Sequence, residues 1–265
     1  NGHDNDNVIC KDGTYSASLT ILAANGSEAS AISSNFVLDT VKPNLVAQIP
    51  WDSFSPDGDS SQDNVPISIT ECTNEKLWTC DVRNSKDISV KKYNWNGTKS
   101  EIVWDGTDES GNLAKDGNYN IILFTTDDAG NSFTTEIKGI SLDTRETKVY
   151  LTAEYEGISP NGDKVLESQI FNVSTTVAEG IASWQFDVRK EDGTSVYKLT
   201  EKDIKNLPTQ ITWNGADSKG NACEGTFTGT LEINYKKGNR VSSVSSAFVC
   251  TALPPKLDVR TAPEY

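Results

Sequence analysis

Three carboxylates, Asp57, Asp59 and Asp63, lie within and just beyond one short turn, Ser55-Pro56-Asp57-Gly58-Asp59. Alternating acidic side chains on a glycine-containing turn can offer several hard oxygens to one divalent cation, and calcium suits such oxygens. The same side chains have a local use, because Asp and Asn in turns accept backbone N–H bonds. The stretch also lacks the full ligand series of an EF-hand loop. Its later counterpart, Ser159-Pro160-Asn161-Gly162-Asp163, is followed by Lys164 and Glu167 where the first has Ser60 and Asp63, which argues against a shared ion site. Asp105 and Asp108 are spaced as a polar turn needs. Trp51 and Trp95 have no partner at repeat spacing and are candidate stacking platforms for a sugar, with packing as the alternative use of an indole.

No catalytic constellation emerges. The single histidine is His3, so a Ser-His-Asp or Cys-His relay in the later chain is excluded. Pairs are unavoidable among 38 acidic residues, but none is tied to a glycosidase motif. The chain reads as non-enzymatic, with no cofactor beyond the calcium candidate. The five cysteines, at 10, 72, 80, 223 and 250, lack zinc-site spacing. Cys223 and Cys250 stand at the open ends of two strands that fold about Lys237-Gly238, within about two residues of register, and are expected to bridge. Cys72 and Cys80 flank a short connection and form the second expected bridge, leaving Cys10 over. Both bridges would imply an oxidising compartment; five buried free thiols are the alternative.

These groups must be positioned by strands. Trp104 to Asn131 reads WDGTDESGNLAKDGNYNIILFTTDDAGN, and the same design precedes Tyr15 and recurs from Trp213 to Phe227. Tyr15 to Tyr119 is 104 residues, Ser55 to Ser159 is 104 and Trp78 to Trp184 is 106. A period near 100 residues means whole domains in tandem. Asp105-Gly106 breaks one strand, and Asp116-Gly117 opens the next, on which Tyr119, Ile121 and Leu123 share a face. Trp78, Cys80 and Val82 alternate with outward Asp81 and Arg83, as do Trp184, Phe186 and Val188 with Asp187 and Arg189. No stretch has helical periodicity. The expectation is antiparallel sandwiches of about seven strands. Residues 1–43 read as the C-terminal half of a module, exposing its inner face; 44–146 and 147–256 as complete sandwiches; and 257–265 as the start of a next linker or module. Short, polar, proline-bearing or charged linkers separate them.

The signature at 104–131, the openings SPDGD and SPNGD, and the closing Leu142-Asp143-Thr144 together resemble a known family. They are similar to the Ig-like repeats related to the C-terminal domain of the flagellar hook-capping protein and to gliding-motility-associated C-terminal modules. The resemblance covers both complete modules and the leading part. It implies an all-β fold of tandem Ig-like antiparallel β-sandwiches, with scaffold, spacer, adhesion or secretion-associated roles outside the bacterial cytoplasm. The last module departs from the pattern at Glu224, at Lys236-Lys237-Gly238-Asn239 and at Cys250. Tyr119 sits as the tyrosine of a tyrosine corner; Phe227 replaces it in the last module.

A net charge of −14 with pI near 4.5 argues against nucleic-acid binding. No run approaches the roughly 18–20 apolar residues of a membrane helix. The absence of any Met suggests an internal segment. The expected role is a structural or scaffold repeat segment of a large bacterial cell-envelope or secreted protein, placed in the periplasm or at the cell surface. The expected partners are neighbouring repeats, another envelope protein or a surface glycan. The alternative is an adhesin or carbohydrate-binding module using Trp51 and Trp95.

Overall fold

A computed structural model describes residues 2–253; the expected start of a further linker or module at 257–265 lies outside them. All regular structure among the described residues is β, and no helix is long and apolar enough to cross a membrane. The leading part contributes β1 (Gly13–Tyr15), β2 (Ser18–Leu22), β3 (Glu28–Ile32) and β4 (Phe36–Leu38). β1 pairs with β4 and β2 with β3, both antiparallel. Ile21 and Ile32 in these strands are 59% and 74% exposed.

The second module contains β5 (Leu45–Gln48), β6 (Ser53–Phe54), β7 (Val65–Cys72), β8 (Trp78–Asn84), β9 (Ser89–Trp95), β10 (Glu101–Trp104), β11 (Gly117–Thr126) and β12 (Ser132–Leu142). One sheet has the order β10-β7-β5; in the other, β12, β11, β8 and β9 neighbour one another in that order. Alternation on β11 buries Tyr119, Ile121, Leu123 and Thr125, as a sheet with one covered face requires. The sheets meet through Trp104 of β10 and Tyr119 of β11, whose ring centroids are 4.9 Å apart. The Tyr119 hydroxyl donates to Lys115 O, the bond of a tyrosine corner. Tyr15 makes the same bond to Lys11 O.

The last module contains β13 (Val149–Ala153), β14 (Gly157–Ile158), β15 (Gln169–Thr175), β16 (Ile181–Lys190), β17 (Ser195–Thr200), β18 (Gln210–Trp213), β19 (Gly225–Tyr235), β20 (Arg240–Val244) and β21 (Phe248–Cys250). Its sheets run β13-β15-β18 and β14-β21-β19-β16-β17, with β20 pairing β19. Aromatic rings join them: Phe171 to Phe186 at 4.8 Å and Trp213 to Phe227 at 5.2 Å. Gly229 is required there, since a Cβ would stand 2.5 Å from the Phe171 ring. Phe227 has no hydroxyl, and here Tyr235 OH bonds Val177 O instead.

By contact the chain forms two compact units. One holds residues up to Asp52 together with Asn64–Leu142; the other joins Ser53–Asp63 to the described residues from Asp143 onward. The acidic loop therefore belongs to the compact unit of the last module.

Candidate functional site

One oxygen each of Asp57, Asp59 and Asp63 falls within 4.8 Å of the others. The loop that gathers them needs left-handed backbone at Ser60 (φ 69°) and Gln62 (φ 51°); Lys164 and Leu166 adopt the same conformation at φ 71° and 51°. The carboxylates also hold the turn. Asp63 accepts from Gly58 N at 2.7 Å and Ser60 N at 2.9 Å, and Asp59 accepts from Ser61 N at 2.7 Å. Asp57 accepts from Asp59 N at 3.2 Å. Burial pushes the Asp57 carboxyl up, but hydrogen bonds from Asn239, the Asp59 backbone and Ser55 outweigh it, so it titrates below its ordinary value.

The turn from Lys236 to Asn239, between β19 and β20, closes on this loop. Asn239 Nδ2 donates to Asp57 Oδ2 at 2.7 Å and to Asp59 Oδ2 at 3.2 Å. Ser61 Oγ donates to Gly238 O at 3.0 Å, and Gln62 Nε2 to Lys236 O at 3.1 Å. Gly238 has φ +102°, and a Cβ there would meet Ser61 O at 2.7 Å, so the approach depends on glycine. Lys237 is 3% exposed. Its Nζ donates to Asp143 O at 3.2 Å and to Arg145 O, with Asp143 Oδ1 3.4 Å away. A buried ammonium is tolerated because carbonyls and a carboxylate replace its water. The sequence flags 236–239 only as a departure from the repeat. That departure was the signal for the contact, but nothing in the sequence says what the turn touches.

Neither tryptophan candidate stands free. Trp51 is half-buried and donates Nε1–H to Asn64 O at 2.9 Å. Trp95, also half-buried, stacks on Trp78 with centroids 6.0 Å apart and planes 12° apart. Register explains it: Trp78 lies opposite Trp95 on the β8–β9 pair.

The expected disulfides Cys72–Cys80 and Cys223–Cys250 are absent from this structure, where all five cysteines are free. Cys72 ends β7 in one sheet, whereas Cys80 is fully buried on β8 in the other. Cys72 borders the short connection, but Cys80 lies inside β8, in the opposite sheet. Cys250 is opposite Gly225, not Cys223, and its Sγ approaches Cys223 O at 3.2 Å. Burial raises the Cys80 thiol to about 12 and the Cys250 thiol to about 11, so both stay protonated at neutral pH. Asp81 and Asp187 face away from the inter-sheet core, as the alternation requires, yet they are only 0% and 3% exposed. Ser89 Oγ donates to Asp81 at 2.6 Å and Ser195 Oγ to Asp187 at 2.9 Å, while Arg83 and Arg189 supply the opposite charge.

No protein-family model and no curated protein matches the chain. Solved structures similar to it include the tetra-tandem repeat in the extending region of a large adhesion protein, at 17% identity and TM-score 0.35, covering 91% of this chain and 57% of that one. The fibronectin(III)-like modules of Clostridium thermocellum CbhA are 15% identical, with TM-score 0.41, covering 82% of this chain and 100% of that one. A Ca2+-stabilized adhesin with which an Antarctic bacterium reaches out and binds ice is 15% identical, with TM-score 0.35, covering 90% and 56%. This chain thus spans little more than half the length of either adhesion protein's chain. At such identities and TM-scores the likeness assigns no function.

Proposed function

We propose that the chain is a non-enzymatic structural segment of a large bacterial secreted or cell-surface protein, acting as a spacer or assembly module. In this reading it is built from Ig-like repeats of the hook-capping and gliding-motility kind and works among neighbouring repeats outside the cytoplasm. One observation carries the reading: the polar groups that recur at repeat spacing perform the same structural bonds in both modules. Trp104 Nε1 donates to Thr107 O at 3.0 Å and Trp213 Nε1 to Ala216 O at 2.7 Å. Asp108 accepts from Ser110 and Asn112 N, and Asp217 from Lys219 and Asn221 N. A spacer is selected to hold its fold under load. Stretching single molecules of the whole chain should give two resolved unfolding events. Each should release roughly 33–36 nm of contour, the extended length of about 100 residues. A chain that extends without resolved events, or in one event, contradicts the proposal.

A second reading rests on the convergence of the Asp57, Asp59 and Asp63 oxygens within 4.8 Å. Three like charges so close repel, and a divalent cation among them would reverse that repulsion. A cation bound only to the folded state raises the melting temperature. Calcium should therefore raise the melting temperature of the EDTA-treated chain, and the Asp59→Asn, Asp63→Asn double variant should lose the response. An unresponsive wild type leaves the carboxylates as turn acceptors alone.

A further inference from the structure

Trp184 is the counterpart of Trp78, and the two are finished differently. Trp78 donates Nε1–H to Thr73 O at 3.0 Å and is flanked by two rings, Trp95 at 6.0 Å and Phe133 at 5.9 Å. Trp184 is only 2% exposed, yet its Nε1 has no acceptor among the described residues. Trp95 also has no counterpart: Thr200 stands opposite Gln185 in the β16–β17 register, and the chain then leaves the strand at Glu201. Beside Trp184 lies a cleft of about 690 Å³, bounded by the ends of β15 and β16 and by residues 201–209. That is the size of a small-ligand site, about 300–1,000 Å³.

We propose that this cleft is a binding site for a neutral sugar. The lining provides both signs of charge, the Glu201 carboxylate and the Lys205 ammonium, so it does not select an ion of either sign. The Asn206 amide can donate and accept, as the Thr209 hydroxyl can, which suits a ligand whose own groups do both. Aliphatic wall is supplied by Val173, Ile181, Leu207 and Pro208. Hydroxyls interleaved with C–H faces are the chemistry of a pyranose. A phosphate would meet Glu201, and an acyl chain would strand the amide and hydroxyl. Trp184 lines the cleft, and its unpartnered N–H adds a donor that a sugar oxygen can satisfy once the wall around the indole yields. An unsatisfied buried donor costs about 1–3 kcal/mol, so supplying its acceptor favours the bound state. This site is separate from Trp51 and Trp95 and does not depend on the spacer reading.

The test is a titration of the whole chain with maltose, cellobiose, lactose and N,N′-diacetylchitobiose, observed through the tryptophan indole N–H resonances. Trp184→Phe assigns its resonance by deletion. The expected result is a saturable shift of the Trp184 indole N–H with at least one sugar, while those of Trp104 and Trp213 stay still. Asn206→Ala and Glu201→Ala should each weaken that affinity about tenfold, the loss of one polar contact, at unchanged melting temperature. The assignment is overturned if none of the four sugars moves the Trp184 resonance. It is equally overturned if both variants bind as tightly as wild type.

Discussion

The loops Ser55–Asp63 and Ser159–Glu167 begin alike and fold alike, yet among the described residues only the first is hydrogen-bonded by the turn of a distant hairpin. Both place non-glycine residues in left-handed backbone at matching positions, 60 and 62 against 164 and 166. Both use carboxylates to gather their own N–H groups, Asp63 in one and Glu167 with Asp163 in the other. In the first, Ser61 and Gln62 are half-buried and bonded to the turn at 236–239. In the second, the same positions are Val165 and Leu166, exposed by 61% and 45%. Local sequence thus sets the backbone of a turn, and a distant element holds the first of the two. The shared pattern builds the fold, while the departures from it, at Lys237 and around Trp184, give the last module its own contacts.

Breaking the shared part should cost most. Trp104→Ala and Trp213→Ala each empty the centre of one sandwich, and each is expected to cost about 3–5 kcal/mol in urea unfolding. The loss should fall on the module that carries the change. Breaking the departure should cost less. Lys237→Ala leaves Asp143 O and Arg145 O without their buried donor, and about 1–3 kcal/mol is expected. Ala129, at the matching place in the second module, has no such contacts to lose, so Ala129→Gly should stay within about 0.5 kcal/mol, as surface changes do.

The smallest effect is on acid stability. Burial pushes the Asp187 carboxyl up, but bonds from Ser195, Gln185 and Arg189 more than offset it, so its folded value lies below the ordinary 3.8. A depressed folded value means that the stabilisation is fully present above the unfolded value and is lost as pH falls through the folded one. Unfolding free energy should therefore decline below about pH 4. Asp187→Asn should lower stability at neutral pH and flatten that part of the decline.

Much of the fold was legible because period-two alternation and Asx-Gly turns report directly on strands and their ends. The matched indoles Trp104 and Trp213 declare a core by recurring, and both are fully buried. What did not show was anything set by register or by distant pairing. Trp95 looked like a free platform because it lacked a repeat partner, but the β8–β9 register places it over Trp78. The burial of Asp81 did not show, because alternation gives its face but says nothing of a hydroxyl and a guanidinium arriving to cover it. The bridges Cys72–Cys80 and Cys223–Cys250 looked close in sequence or strand order, whereas disulfides need side-chain geometry that spacing does not define. The missing acceptor at Trp184 depends on how the chain closes around the indole, which no local pattern encodes.

The most direct test compares backbone hydrogen exchange in the two loops within one sample of the whole chain. If the turn at 236–239 fixes the first loop, the amides of Gly58, Ser60 and Ser61 exchange more slowly than those of Asp163, Lys164 and Val165. The Lys237→Ala, Asn239→Ala double variant then brings the two sets together. Equal exchange in the wild type, or a difference that survives the double variant, would contradict the account.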